Sequence, residues 1–237
     1  MAFCWSAPTA LGASGQRTAG AVNTAAGFSI VQYTGTGSNN QAVPHGLSQA
    51  PDFVIYKCQS SSGAHFPIYH RSIDTRGLYL NLTNTQSSGY WPTEPDATNL
   101  YLNTDGNTNV SGQNYIAYCW HAVPGYSYFG FYDGNSSNDG PFVYTGFRPN
   151  FYLIKSNTSP QGAEVSGGTS LNPYNPVGTD FPCNNQTVRN SIFVDLLSNG
   201  IKIRNTGLEY NGAAGYVYAA FAEHPFGGAN VSPSPAR

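Results

Sequence analysis

Pro51-Asp52-Phe53-Val54-Ile55-Tyr56-Lys57 and Pro149-Asn150-Phe151-Tyr152-Leu153-Ile154-Lys155 are the two stretches that decide the fold. Each begins with Pro and a short polar residue, continues with apolar residues, and ends with Lys. Because Phe53 to Tyr56 are continuously apolar, they predict a strand that is covered on both faces. The return of this pattern 98 residues later predicts two copies of one β module.

Further matches extend the repeat in both directions. Tyr33-Thr34-Gly35 returns as Tyr132-Asp133-Gly134, and Tyr115-Ile116 returns as Tyr216-Val217. The matches keep their order, while their spacing drifts between 98 and 101 residues. A conserved order with a drifting spacing is typical of a duplication whose loops have changed length.

The beginning of the chain echoes the end of the first module. Ala2-Phe3-Cys4-Trp5-Ser6-Ala7 resembles Ala117-Tyr118-Cys119-Trp120-His121-Ala122. We expect residues 2–7 to be the closing strand of a module whose body is absent. An unpaired apolar strand promotes aggregation, so we also expect it to pair with another strand. Residues 8–26 are rich in small residues and are predicted to be a linker.

The composition favours strands over helices. Charged residues make up 9% of the chain, against 27 Gly, 16 Pro and 17 Tyr. Tyr suits a pleated, half-buried surface, whereas Gly and Pro disfavour helix interiors. We predict an all-β fold of two tandem β-sandwich-like modules. The predicted segments are an orphan strand and linker at 1–26, module 1 at 27–125, module 2 at 126–228 and a tail at 229–237.

Short strands separated by polar turns account for most of both modules. Leu78, Leu80 and Leu82 alternate with other residues, which indicates a strand with one buried face. Asn199-Gly200 suits a type I′ hairpin turn. The predicted strands are 28–33, 53–58, 66–69, 78–82, 100–102, 115–120, 128–132, 151–155, 192–197, 201–204 and 216–222.

Charge and hydropathy argue against several classes of protein. The net charge is −2 and the basic residues are scattered, so we expect no nucleic-acid partner. No apolar run approaches the roughly 20 residues that span a bilayer, so we expect no membrane insertion. The first residues lack the basic start and apolar stretch of a signal peptide. The four widely spaced cysteines suit buried thiols, with two disulfides or a metal site as the alternatives.

No group of residues has the spacing of a catalytic or metal site. His65 and His70, five residues apart on a predicted strand, point to opposite faces. His45 aligns with Thr145 in the second copy and is predicted to make local hydrogen bonds. A two-carboxylate hydrolase remains an alternative, since its residues can be distant in sequence. We therefore expect no enzyme activity, no cofactor and no metal.

Tyr90 and Trp91 are the candidate binding residues. They follow the polar run Gln86-Ser87-Ser88-Gly89 and precede Pro92, a setting in which aromatic rings can be exposed. Exposed loop aromatics are surfaces on which sugar rings stack. Two interpretations stay open: a glycan-stacking site, or a loop held on the sheet by its aromatic residues.

Nearly the whole chain resembles the repeated modules of tailed-bacteriophage virion proteins, notably those of marine phages. The residues that carry the resemblance are Thr24-Ala25-Ala26-Gly27-Phe28-Ser29-Ile30-Val31-Gln32-Tyr33-Thr34-Gly35, Val43-Pro44-His45-Gly46-Leu47 and Gly140-Pro141-Phe142-Val143-Tyr144-Thr145-Gly146-Phe147-Arg148-Pro149. Ala220-Phe221-Ala222-Glu223-His224-Pro225-Phe226 adds to them. Such proteins are tail fibres or other virion structural proteins without established catalytic residues. Because the chain starts just before a closing strand, we expect a short subunit rather than a whole fibre.

The resemblance implies a location and partners. We expect a virion protein that assembles in the host cytoplasm with other virion proteins, as a symmetric homo-oligomer, with a trimer as the first expectation. The expected function is a fibre or receptor-binding subunit that contacts a host surface polysaccharide. A capsid decoration or head-fibre protein without receptor binding is the first alternative, and a polysaccharide depolymerase is the second.

Overall fold

The computed structural model describes residues 5–166, 174–183 and 189–223. Within these residues the secondary structure consists of seventeen β-strands and one 3₁₀ helix, Arg71–Ile73. The all-β prediction is confirmed. The chain divides into two compact units: unit 1 is Met1–Leu80 with Gln86–Ala122, and unit 2 is Asn81–Thr85 with Val123–Arg237.

Unit 1 contains a seven-stranded antiparallel sheet and a two-stranded sheet. The large sheet has the order β1-β2-β3-β9-β5-β6-β7, and the small sheet pairs β4 with β8. The core lies between the two sheets, because residues of β3, β5 and β9 cluster with Val43 of β4 and Leu100 of β8. The strands are β1 Thr9–Leu11, β2 Arg17–Asn23, β3 Phe28–Thr34, β4 Gln41–Pro44, β5 Phe53–Cys58, β6 Pro67–His70, β7 Leu78–Tyr79, β8 Asn99–Leu102 and β9 Asn114–Trp120.

Unit 2 is a single series of eight antiparallel strands in the order β10-β17-β12-β13-β14-β15-β16-β11. Tyr152, Tyr216 and Tyr218 from one end of this series cluster with Val194 and Ile203 from the other end, so the series encloses its own core. The strands are β10 Ser127–Asp133, β11 Phe142–Tyr144, β12 Pro149–Ser156, β13 Ala163–Ser166, β14 Val177–Pro182, β15 Arg189–Leu197, β16 Gly200–Ile203 and β17 Gly215–Ala222.

The central strand pairs of the two units have matching registers. β3 pairs with β9 from Phe28↔Trp120 to Thr34↔Asn114, and β10 pairs with β17 from Ser127↔Phe221 to Asp133↔Gly215. Within these pairs, Tyr33 stacks on Tyr115 at 5.3 Å and Tyr132 stacks on Tyr216 at 5.0 Å between ring centroids. The duplication itself stays a prediction, and these shared contacts are the structural counterpart of the repeated sequence.

The predicted linker at residues 8–26 is wrong. Residues 9–11 and 17–23 form β1 and β2, and β2 pairs with β3 along its length. Gly20 lets this segment pack closely, since a Cβ there would meet the Ile30 carbonyl oxygen. Small residues in this stretch therefore serve close strand packing, which composition alone does not distinguish from a linker.

The predicted strand at residues 2–7 lies partly outside the described residues, which begin at Trp5. Residues 5–7 form no strand. The Trp5 ring instead packs edge-on against Trp120, with centroids 5.5 Å apart. Asn23 donates its Nδ2 hydrogen bond to the Ser6 carbonyl. The predicted tail, 229–237, also lies outside the described residues.

Two local predictions also need correction. The strand predicted at 78–82 ends at Tyr79, and Leu80 and Leu82 lie in a turn. In the β15–β16 hairpin, Leu197 pairs with Gly200, so the loop is Ser198-Asn199 and Gly200 belongs to the strand. Neither Asn199 nor Gly200 has a positive φ, which excludes a type I′ turn. Gly200 is required because a Cβ would overlap the Val143 carbonyl oxygen.

Candidate functional site

Tyr90 and Trp91 do not form an exposed platform. Their side chains are 8% and 2% exposed and belong to the core of unit 1. Trp91 packs against Tyr56 with ring centroids 4.8 Å apart, and the Tyr90 hydroxyl donates to Asp105 Oδ1 at 2.8 Å. Desolvation raises the pKa of Tyr90 far above its usual range. The glycan-stacking interpretation of these residues is therefore wrong: the rings anchor the loop to the sheet.

The histidines singled out in the sequence make local contacts. His45 is buried, its Nδ1 accepts from Leu47 N at 3.1 Å, and its Nε2 lies 3.1 Å from the Asp96 carbonyl oxygen. This confirms the prediction of a local hydrogen-bonding role. His70 Nδ1 accepts from Ser72 N and caps the 3₁₀ helix. The His65 ring packs edge-on against Tyr79.

Cys58 and Cys119 are buried free thiols, and Cys183 is half-buried. Cys4 lies outside the described residues. Within the part of the chain that the structure describes, no three His, Cys, Asp or Glu side chains form a group that could hold a metal ion. No helix in that part is long and apolar enough to cross a membrane.

Buried carboxylates in both units hold backbone or tyrosine groups. Asp52 Oδ2 accepts from Ala122 N at 2.7 Å and Oδ1 pairs with Arg71. In unit 2, Asp180 Oδ2 accepts from the Tyr210 hydroxyl at 2.8 Å. These contacts fix loops and strand ends, and they give both carboxylates a structural role.

A polar cleft of about 700 Å³ on unit 2 is the best candidate for a binding site. Its floor is the outer face of the β15–β16 hairpin. Val194 and Ile203 point into the core. Asp195 directly follows Val194 and Arg204 directly follows Ile203. Because successive side chains of a strand alternate in direction, these two point to the opposite face. The backbone N–H of Arg204 donates to the Phe193 carbonyl, which continues the pairing past the end of β16.

The walls of the cleft come from distant parts of unit 2. Asn138 lies in the loop after β10, and Asn175 precedes β14. The Asn175 side chain is fixed to β15, because its Oδ1 accepts from Leu196 N at 2.8 Å and its Nδ2 donates to Leu196 O at 2.9 Å. Ser191 of β15 and Thr206 complete the polar lining.

Opposite charges are paired within and beside the cleft. Arg204 Nε donates to Asp195 Oδ2 at 2.7 Å, and the Arg204 side chain is still 43% exposed. Beside it, Lys202 Nζ lies 2.6 Å from Asp139 Oδ1. This hydrogen bond lowers the pKa of the Asp139 carboxyl below its usual range.

An exposed aromatic residue precedes one residue of the cleft wall in the chain. Tyr174 is 82% exposed and is joined directly to Asn175 of the wall. Sequence reasoning missed this site, because its parts lie between Asn138 and Thr206 and only the fold brings them together. The available signal was the alternation of Asp195, Lys202 and Arg204 with apolar residues in a predicted hairpin.

The fold and the cleft define a class: an all-β protein of two compact units with a polar, solvent-open cleft on unit 2. Residues 1–225 match the family model described as "Domain of unknown function (DUF7483)". The chain therefore belongs to this family. Searches among curated proteins and among solved structures found no match to the chain.

Proposed function

We propose that this protein is a non-enzymatic structural protein of a bacteriophage virion, and that it serves as a fibre or receptor-binding subunit that contacts a host surface glycan. The first support is the resemblance of its repeated motifs, among them Val43-Pro44-His45-Gly46-Leu47, to tailed-phage virion modules. The second support is the cleft on unit 2.

The cleft is the observation that carries the receptor-binding part of the proposal. Its lining combines carboxylate, guanidinium, amide and hydroxyl groups, and the exposed Tyr174 is the chain neighbour of its lining residue Asn175. Such groups can bind the many hydroxyls of a sugar and cover one face of its ring. Asp195 is paired with Arg204 rather than with a second carboxylate, an arrangement suited to binding more than to general acid–base hydrolysis.

Adsorption to host cells tests the proposal. The purified, fluorescently labelled protein should bind the host bacterium, and an excess of it should slow adsorption of the phage. Mild periodate oxidation of the cells should abolish binding, because it destroys vicinal diols of surface glycans. Cells treated with periodate that had been quenched beforehand are the control.

Three results would contradict the proposal in different ways. Immunogold labelling on the capsid, without cell binding, would favour the decoration or head-fibre alternative. Release of reducing ends from purified host polysaccharide would favour the depolymerase. Absence of the protein from purified virions would remove the virion role altogether.

A further inference from the structure

The cleft on unit 2 has a charge arrangement that selects among ligands. Arg204 is paired with Asp195, and the neighbouring Lys202 is paired with Asp139. Two positive and two negative groups leave the surroundings of the cleft close to neutral. An anionic ligand would gain little from Arg204 while facing the Asp195 carboxylate, so the arrangement disfavours phosphate and uronate groups.

The same ion pair suits a pair of neighbouring hydroxyls. An ionised carboxylate only accepts hydrogen bonds, and a guanidinium only donates them in a fixed, planar fork. A hydroxyl does both. Both residues line the cleft, and the Arg204–Asp195 bond uses Nε of the guanidinium. One hydroxyl of a vicinal diol can therefore donate to Asp195 while the next accepts from a terminal nitrogen of Arg204.

Size and surroundings agree with a sugar ligand. Ligand clefts in proteins measure roughly 300–1,000 Å³, and this one measures about 700 Å³. Among the other lining residues, Asn138, Ser191 and Thr206 have side chains that can both donate and accept. Tyr174 is the exposed chain neighbour of the lining residue Asn175, so its ring can cover one face of a bound sugar.

We infer that the cleft binds a neutral saccharide, with a vicinal diol held by Asp195 and Arg204 and one sugar face covered by Tyr174. This inference rests on the proposed function and names the ligand class of its binding site. It places glycan recognition on unit 2, because the residues that line the cleft all belong to that unit.

Ligand-observed saturation-transfer NMR on the full chain tests the inference with defined probes. The neutral probes are the methyl glycosides of glucose, galactose, mannose and N-acetylglucosamine, and the anionic probe is methyl glucuronide. We expect saturation transfer to at least one neutral glycoside at millimolar concentration and none to the glucuronide. A preference for the glucuronide, or no transfer to any neutral probe, would overturn the inference.

Substitutions then place the binding in the cleft. Asp195→Asn and Tyr174→Ala should each weaken binding of the responding glycoside at least about tenfold, because each removes a direct contact. Asp74→Asn is the matched control for the first, since Asp74 is an exposed carboxylate paired with Arg76 in unit 1. Tyr144→Ala is the control for the second, since Tyr144 is 58% exposed and, unlike Tyr174, is not the chain neighbour of a lining residue. Equal affinity in Asp195→Asn and the parent protein would overturn the assignment.

Cell adsorption separates this inference from the proposed function. If the parent protein and Asp195→Asn adsorb equally to periodate-sensitive sites on host cells, the receptor role stands and the cleft assignment is overturned. If the glycoside binds in the cleft but the protein does not adsorb to host cells, the receptor role is overturned and the saccharide site stands. Thermal unfolding of each variant verifies that it folds like the parent.

Discussion

At the scale of the residue, a buried asparagine holds the same loop in each unit. Asn109 Oδ1 accepts from Thr36 N at 2.8 Å, and its Nδ2 donates to Ser38 O at 2.8 Å. Asn211 does the same in unit 2, where Oδ1 accepts from Asn135 N at 2.8 Å and Nδ2 donates to the Ser137 carbonyl. Both side chains are fully buried, so their polar atoms depend on these partners.

Replacement of Asn109 by Ala should destabilise unit 1 by about 2–4 kcal/mol, because it leaves several buried backbone groups without partners. Urea unfolding followed by tryptophan fluorescence measures this, since Trp5, Trp91 and Trp120 all belong to unit 1. Asn39→Ala, at an exposed position in the same loop, should change stability by less than about 0.5 kcal/mol. Equal midpoints for the two variants would contradict the role of Asn109.

His45 should make unit 1 sensitive to mild acid. Burial lowers the pKa of His45 below the usual 6.5, so the unfolded chain takes up a proton before the folded one does. Stability from this group is complete above pH 6.5 and falls below it, by no more than about 1.4 kcal/mol per pH unit. His45→Thr, which introduces the residue found at the aligned Thr145, should unfold more easily at pH 7.5 and lose less stability between pH 7.5 and 5. A parallel loss in both proteins would contradict this assignment.

The role of a single residue was predictable where its hydrogen bonds stay within a short motif. It was not predictable where a long loop folds back onto the core. The role of His45 followed from its place in a turn. The burial of Tyr90 and Trp91 did not, because Trp91 N donates to Thr75 O and Gly77 pairs with Ser87 in a long irregular segment. A polar sequence around two aromatic residues does not reveal where such a segment folds back.

At the scale of the element, each unit requires a glycine directly after one of its central strands, β3 in unit 1 and β10 in unit 2. Gly35 follows β3 and Gly134 follows β10. A Cβ on Gly35 would overlap the Val110 carbonyl oxygen, and a Cβ on Gly134 would overlap that of Gly212. The repeated Tyr-Thr-Gly and Tyr-Asp-Gly motifs therefore mark a close approach of two backbone segments, in addition to a strand end.

Gly35→Ala should lower the stability of unit 1 by about 1–3 kcal/mol, because the backbone must shift to admit the methyl group. Tryptophan-detected urea unfolding measures the change. Gly63→Ala is the matched control, since a Cβ at Gly63 would meet no atom within 4 Å. If the control were destabilised as much as Gly35→Ala, general glycine entropy effects rather than backbone overlap would explain the result.

The strands with strong apolar or repeated patterns were predictable, and those made of small or polar residues were not. β5 and β12 follow from their continuous apolar runs. β2, with the sequence Arg17-Thr18-Ala19-Gly20-Ala21-Val22-Asn23, has no such pattern and is a strand because β3 offers it a pairing edge. The cleft on the β15–β16 hairpin could not be predicted from the sequence, because the residues of its walls are distant in sequence.

At the scale of the whole molecule, exposed aromatic residues mark the two end strands of unit 2. Tyr128 and Phe131 on β10, and Phe142 and Tyr144 on β11, are each at least 40% exposed. Among the described strands, β10 and β11 end the series of unit 2. End strands with exposed aromatic residues are typical of surfaces that associate with another chain.

We expect a homo-oligomer, with a trimer as the first expectation, and we expect its contacts to include β10. Light scattering after size exclusion should give three times the chain mass of 25.3 kDa. Phe131→Lys, which places a charge on this strand, should shift the mass towards that of one chain. Leu208→Lys, at a position 53% exposed outside any strand, should leave the mass unchanged. A monomeric parent protein would contradict the expectation.

The rate at which a buried thiol of unit 1 is alkylated can report how often that unit opens. Burial raises the pKa of Cys119 to about 12, and its side chain is fully buried on β9, the strand that lies between β3 and β5 in the sheet. Only the thiolate is alkylated, so iodoacetamide should modify Cys119 at the rate at which unit 1 opens. Peptide mass spectrometry should find Cys183, which is half-buried, modified earlier. Asn109→Ala should shorten the lifetime of unmodified Cys119, and an unchanged lifetime would mean that this loop opens without exposing the centre of the sheet.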